Sequence, residues 1–146
     1  MITVRPAGEQ DLPEMVGLLK DAKLPREGVE EHFSTFLIAA DTGSIVGGIG
    51  LEIYQDTALL RSAVVRPDVR NRGVGTQLYD AVLTLARQNN INKIVLLTTT
   101  AEKYFARKGF RRIDRSAVDG PVTRSIEFTS ACPSSAICME LILDED

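Results

Sequence analysis

The run Arg70-Asn71-Arg72-Gly73-Val74-Gly75-Thr76 places two glycines and two arginines between an apolar stretch at 59–65 and a stretch with helical periodicity. Glycine lets a backbone approach a ligand closely. The first turn of a following helix points unpaired N–H groups and the positive end of its dipole at an anion, and arginine adds charge. The chemistry these residues suit is the cradling of a pyrophosphate. A short glycine-rich turn is also an ordinary strand-to-helix connection, so the flanking sequence has to decide between the two. Other residues able to do chemistry are scattered: Glu52 and Tyr54, Arg61 and Ser62 within an otherwise apolar run, Cys132 and Cys138 as the only cysteines, and His32 as the only histidine.

The elements that must position these residues follow from hydrophobic periodicity. Residues 2–5 read as a strand closed by Pro6. Leu12, Met15, Val16, Leu18 and Leu19 recur at helical spacing, with Asp11 and Glu14 where the dipole favours acid. A second short helix is predicted between Pro25 and Phe33. Residues 36–40 and 44–53 form a hairpin around Asp41-Thr42-Gly43, and Gly47, Gly48 and Gly50 point to a bulge or close backbone approach in its second strand. Gln55-Asp56 turns the chain into a strand over 58–65. A helix over 74–88 carries Leu78, Val82 and Leu85 on one face and ends at Asn89-Asn90. A short β-branched run follows at 94–97, then a helix from about 101 to 107 that stops at Gly109. This order predicts a βαβ unit in which strands 58–65 and 94–98 are parallel neighbours with a right-handed crossover. One more helix over 122–130 and a last strand over 136–143 complete a single α/β domain, residues 1–146, without repeat or linker.

Arg70-x-x-Gly73-x-Gly75, preceded by Val64-Val65-Arg66-Pro67-Asp68 and followed by Ala101-Glu102-Lys103-Tyr104-Phe105-Ala106-Arg107-Lys108-Gly109-Phe110, resembles the GNAT family of acetyl-CoA-dependent N-acetyltransferases. The resemblance runs from Val4-Arg5-Pro6-Ala7 through the closing strand. Leu59-Leu60-Arg61-Ser62, Leu96-Leu97-Thr98-Thr99-Thr100, Glu127-Phe128 and Cys132-Pro133-Ser134-Ser135-Ala136 resemble a narrower branch, the second type of arsenic-resistance-associated N-acetyltransferase. The family fold implied is a mixed central sheet of about six to seven strands flanked by helices, with the two parallel strands splayed at the cofactor site. The implied co-substrate is acetyl-CoA. Its pantetheine amides would pair with the backbone of Val64 and Val65, its pyrophosphate would rest on Arg70, Asn71, Arg72, Gly73, Val74, Gly75 and Thr76, Phe105 would line the site, and Lys108 would contact the adenosine end or stand solvated.

Acetyl transfer to an amine requires that the acceptor nitrogen lose a proton, that the oxyanion be stabilised and that the departing thiolate be protonated. Many family members place a tyrosine four residues before the Gly-Phe pair, and Phe105 stands there in this chain. Tyr104 is adjacent, but one residue turns about 100° around a helix, so Tyr104 is expected to point elsewhere and a bound water is left to serve as acid. Glu52 and Tyr54 share one face of a strand. Glu52 could take the amine proton, directly or through water, or be a carboxylate on an exposed face. Arg61, with Ser62 beside it, marks an edge or a partner, or else binds the carboxylate or arsenical oxyanion of an acceptor.

Length and composition bound the remaining possibilities. The chain has 146 residues, enough for one domain with a sizeable core, and 44% hydrophobic with 25% charged residues is ordinary for a soluble globular protein. No apolar run approaches the roughly 20 residues needed to span a bilayer, and the first residues lack the apolar core of a signal peptide, so no membrane partner and a cytoplasmic location are expected. A net charge of −3 argues against nucleic acid as partner, although Arg66, Arg70, Arg72 and then Arg107, Lys108, Arg111, Arg112, Arg115 form two local basic clusters. Two thiols without further ligands argue against a metal site. They are buried apolar residues or a soft pair that captures trivalent arsenic. The resulting expectation is an N-acetyltransferase acting on a primary amine of a small molecule, with a link to arsenic resistance and, from family habit, a homodimer. The alternatives are a protein lysine or N-terminal acetyltransferase, and a non-catalytic CoA-binding or metalloid-sensing module.

Overall fold

In the computed structural model, which describes residues 1–143, seven strands form one sheet: β1 (Ile2–Pro6), β2 (Phe36–Asp41), β3 (Ser44–Tyr54), β4 (Thr57–Val65), β5 (Lys93–Thr98), β6 (Arg111–Ile113) and β7 (Ile137–Ile142), in the order β1-β2-β3-β4-β5-β7-β6. All neighbouring pairs are antiparallel except β4 and β5, the predicted parallel pair. Side-chain alternation gives the sheet two apolar faces. On one, Phe36 and Ile38 meet Met15 and Leu19 of α1 (Leu12–Asp21) and Val29 of α2 (Val29–His32). On the other, Leu37 and Ala39 meet Leu78, Tyr79 and Val82 of α3 (Val74–Gln88), and Phe105 of α4 (Glu102–Arg107) joins the same cluster.

The glycines of β3 reflect close packing. A Cβ on Gly50 would sit 2.3 Å from the fully buried Phe36 ring, so a side chain at either position excludes one at the other. The predicted bulge lies here, although β4 carries the extra residue: between the pairs Gly48–Val64 and Gly50–Arg61, β3 advances two residues and β4 three. Ser62 absorbs it at φ 60°.

Two expectations change. The segment 122–130 is not one helix: a 3₁₀ turn, Pro121–Arg124, is followed by a π-helical turn, Glu127–Ala131. Pro121 starts the first turn and Ser125, extended in ψ, breaks the register before the second. The strand β6 is additional to those expected: its three residues between Gly109 and Asp114 are too short for an alternation to show, and pairing with β7 makes them a strand.

Candidate active site

The site opens where β4 leaves β5. Their register pairs Thr57 with Lys93, Ala58 with Ile94 and Leu59 with Val95, and then stops although both strands continue. The extra residue of β4 falls just beyond this point. A cavity of about 580 Å³ occupies the gap, walled by Leu60 to Val65 on one side and Leu96, Leu97 and Thr98 on the other. The splay anticipated between strands 58–65 and 94–98 is therefore present, with Val64 and Val65 in the wall. The carbonyl of Val65 accepts a hydrogen bond from Arg70 Nε at 3.3 Å.

One end of the cavity is the N-terminus of α3. Gly73 sits in the left-handed region at φ 79°, where other residues are strained, and no side chain caps the helix. Arg70, Asn71, Gly73, Val74, Gly75 and Thr76 all line this end. Arg72 does not; its Nη2 lies 3.8 Å from Asp41 on the protein surface. Lys108 is also outside the wall, with Nζ above the rings of Tyr79 and Tyr104 at 5.2 and 5.6 Å. Phe105 lines the cavity as expected, packed against Phe110. Tyr104 lines it too, contrary to the expectation from helical rotation. The six-residue helix α4 crosses the wall, so Phe105 turns into the core while the Tyr104 hydroxyl reaches the start of α3 beside Gly75 and Thr76.

The other end is a buried charge cluster. Arg61, 2% exposed, is on a central strand and not at an edge. Its Nη1 donates to Glu52 Oε2 at 2.8 Å, Nη2 to the Pro25 carbonyl at 3.1 Å and Nε to Ser62 Oγ at 3.1 Å, with Glu127 Oε2 3.2 Å from Nε. Room for the guanidinium depends on Gly28 at φ 83°, whose Cβ would approach Nη1 to 3.0 Å. Ser62, Arg61, Glu127, Cys132, Leu24 and Pro25 line this end.

Glu52 is neither on an exposed face nor in the cavity wall: it is 0% exposed and stands behind Arg61. Tyr54, two residues along the same face, donates to Glu52 Oε1 at 2.5 Å, and His32 Nε2 lies 3.7 Å from the same oxygen. Burial pushes the Glu52 carboxyl up, but hydrogen bonds from Ser125, Tyr54 and Arg61 and the charge of His32 outweigh it, leaving the carboxyl below its ordinary range. Burial and the bond to Glu52 keep the Tyr54 phenol protonated. Glu127 differs. Burial lifts it to about 7, the Arg61 charge opposes this only in part, and Glu52 adds to the rise.

Sequence reasoning missed Glu127 as a site residue, together with Leu24, Pro25, Thr98 and Tyr104. An acid within a stretch predicted as one more helix carries no signal of burial; the π-helical turn directs it inward. The two cysteines separate: Cys132 lines the cavity, whereas Cys138 packs with Leu59, Val95, Val118 and Val122. Burial lifts their thiols to about 12 and about 11, which disfavours the thiolates that soft-metal capture requires. Among the described residues, no group of three or more His, Cys, Asp or Glu could hold a metal ion, and no helix is long and apolar enough to cross a membrane.

A mixed sheet with one splayed parallel pair and an uncapped helix N-terminus at the splay frames the cavity, and the sequence pattern of the Acetyltransferase (GNAT) family matches residues 5–110. The chain belongs to that family. Amino-acid acetyltransferase of Pasteurella multocida is 30% identical over 118 residues, 75% of this chain, which spans only 27% of that relative. The uncharacterized protein YwlB of Bacillus subtilis is 31% identical over 76% of this chain and 78% of its own length. Among solved structures, N-acetylglutamate synthase of Neisseria gonorrhoeae, complexed with coenzyme A and N-acetyl-glutamate, superposes with a TM-score of 0.84 at 21% identity over 99% of this chain and 35% of that one, a likeness of fold. Rv2747 of Mycobacterium tuberculosis, in complex with CoA, gives a TM-score of 0.83 at 25% identity over 97% of this chain and 99% of that one.

Proposed function

We propose that this protein is an acetyl-CoA-dependent N-acetyltransferase that acylates a primary amine of a small molecule. The observation that carries the reading is the continuity of one cavity from the uncapped N-terminus of α3 to the buried Glu52–Arg61–Glu127 cluster. One end fits a pyrophosphate: it offers unpartnered first-turn N–H groups, Arg70, and a Gly73 that holds the backbone open. The other end presents ionisable groups to whatever enters between segments 24–28 and 126–132.

The amine of an amino-acid-like molecule is the acceptor class we favour, in keeping with relatives named amino-acid acetyltransferases. The arsenic-linked acceptor is the finer part of this reading. Its support is that Arg61, Ser62, Leu97, Thr98, Glu127 and Cys132, all within the segments that resemble the arsenic-resistance branch, line the cavity. Phosphate binding is assigned to Arg70, Asn71, Gly73, Val74, Gly75 and Thr76, with Val64, Val65 and Phe105 along the pantetheine path. Arg72 and Lys108 are given the outer rim. Glu52 and Tyr54 act by fixing Arg61, since Glu52 is off the wall and strongly hydrogen-bonded. The homodimer implied by the family resemblance is a proposal that sedimentation equilibrium tests.

The test is release of free CoA thiol from acetyl-CoA across a panel of amines comprising L-glutamate, amino-acid arsenicals, phosphinothricin-like compounds and polyamines, with Gly73→Trp as control. Release dependent on one acceptor and lost in the control supports the reading. Tight acetyl-CoA binding without release from any acceptor would replace it by a CoA-binding sensor module.

A further inference from the structure

The acceptor end contains an imbalance that the roles given so far do not use. Two buried carboxylates, Glu52 at 0% and Glu127 at 4% exposure, flank a single buried guanidinium. The Glu52 carboxylate is committed: Arg61 Nη1 and the Tyr54 hydroxyl bond its two oxygens, and it stands away from the cavity. Glu127 shares only the Nε side of Arg61, which also donates to Ser62 Oγ, and it faces the cavity. The less fully paired of the two carboxyls therefore lies at the cavity wall, carried on a π-helical turn, an irregularity frequent at functional sites.

We propose that Glu127 is the general base of the transfer and that the cavity wall at Glu127 seats the acceptor as its ammonium ion. The inference rests on the acetyltransferase reading above. The Glu127 carboxylate first attracts the R–NH₃⁺ group and then takes one proton from it, giving R–NH₂ and a neutral Glu127 carboxyl. The nitrogen lone pair forms the new N–C bond to the acetyl carbonyl carbon as the C–S bond breaks. The second nitrogen proton neutralises the departing thiolate, and Glu127 returns its proton to water. The sum is ammonium plus thioester giving amide, thiol and one proton. Arg61 is a positioning residue in this scheme: it orients Glu127 without neutralising it fully, because Glu52 claims its other edge. The charged and titratable groups that face Glu127 are Arg61 on β4, Glu52 on β3, Glu27 on the loop before α2, and Cys132 past the π-helical turn, with His32 and Tyr54 reaching it only through Glu52. In this setting the Glu127 carboxyl, at about 7, matches the operating range of a base at neutral pH.

Two measurements test the proposal. In protein carrying ¹³C at the glutamate carboxyl carbons and saturated with acetyl-CoA, one glutamate resonance titrates near neutrality and is assigned by its loss in Glu127→Gln or Glu127→Asp. With the acceptor giving the highest wild-type rate in the amine panel, Glu127→Gln lowers kcat/KM by about 10²- to 10⁴-fold and removes the acid limb of its pH profile, while acetyl-CoA affinity by calorimetry stays within twofold. A Glu127 resonance titrating in the ordinary carboxylate range, or a Glu127→Gln profile that keeps the wild-type acid limb, overturns the base assignment and leaves the acetyltransferase reading standing. Absence of CoA release by the wild type with every amine overturns that reading, and the base assignment with it.

Discussion

Arg61 is the residue on which the buried charge cluster depends, and its contacts define what losing it does. Removal of the guanidinium leaves Glu52 and Glu127 buried without a countercharge, a situation that costs about 3–5 kcal/mol. Arg61→Ala is therefore expected to lower the urea midpoint strongly, and an unchanged midpoint with a raised acceptor KM would show that the guanidinium is free to bind acceptor instead. Glu127 gives a pH-dependent counterpart. Its carboxyl is raised in the fold to about 7, so the folded state binds the proton more tightly than the unfolded chain. The stability this contributes is complete below the ordinary carboxyl range and is lost as the pH rises through about 7. Glu127→Gln cannot ionise and escapes that loss. It should exceed the wild type in stability by about 3 kcal/mol at pH 8, and the difference should vanish near pH 3, below the ordinary carboxyl range, as thermal melts at the two pH values can record.

At the scale of elements, the start of α3 and the segment 121–132 divide the work. Gly73 holds φ 79° with open space around the position of a Cβ, so Gly73→Ala meets no clash and pays only the left-handed backbone penalty of about 1–2 kcal/mol. If α3 relaxes to escape that strain, its first-turn N–H groups swing off the cavity. Acetyl-CoA affinity is expected to fall by about tenfold while the apo fold persists, which calorimetry and circular dichroism separate. The segment bearing Glu127 is tied down by Arg115, whose Nη2 donates to the Phe128 carbonyl at 2.6 Å and Nη1 to the Pro133 carbonyl at 3.0 Å, with the guanidinium 5.3 Å above the Phe128 ring. Arg115→Ala should lower kcat by about an order of magnitude through misplacement of Glu127, with acetyl-CoA affinity unchanged. A loss confined to affinity would refute the division of labour.

Across the whole molecule, the sheet is joined at its centre by a short parallel contact: three residue pairs hold β4 to β5 before the cavity separates them. A ligand spanning the gap and resting on α3 ties both halves of the sheet together, and any ligand that binds only the folded state stabilises it. Acetyl-CoA at a hundredfold excess over its Kd is expected to add about 2.7 kcal/mol, a rise in Tm on the order of 5–10 °C for a domain of this size. Gly73→Trp should abolish the rise. Acidic neighbours offset half of the eight residues in the two basic clusters: Arg66 pairs with Asp68, Arg111 with Glu140, and Arg72 and Arg112 lie near Asp41 and Glu102. The salt dependence of acetyl-CoA binding should then trace chiefly to Arg70 and Lys108, with a smaller part from Arg72 beside Asp41.

What the sequence determined by itself was local: the periodicity that makes α1, α3 and most strands, the βαβ order that makes β4 and β5 parallel, and the Gly73 and Gly75 turn that leaves a helix N-terminus uncapped. These features rest on backbone conformation and on near neighbours, so residue types report them directly. The tertiary structure alone decided the charge cluster at the other end of the cavity. Glu52 and Arg61 lie nine residues apart, and Arg61 meets the Pro25 carbonyl across thirty-six; no periodicity links such positions. The burial of Glu52, the inward turn of Glu127 and the separation of Cys132 from Cys138 follow from how loops 24–28 and 121–132 close over the splayed strands. The position of Tyr104 in the cavity wall has the same origin: helical rotation fixes an angle about an axis, and only packing fixes where that axis lies.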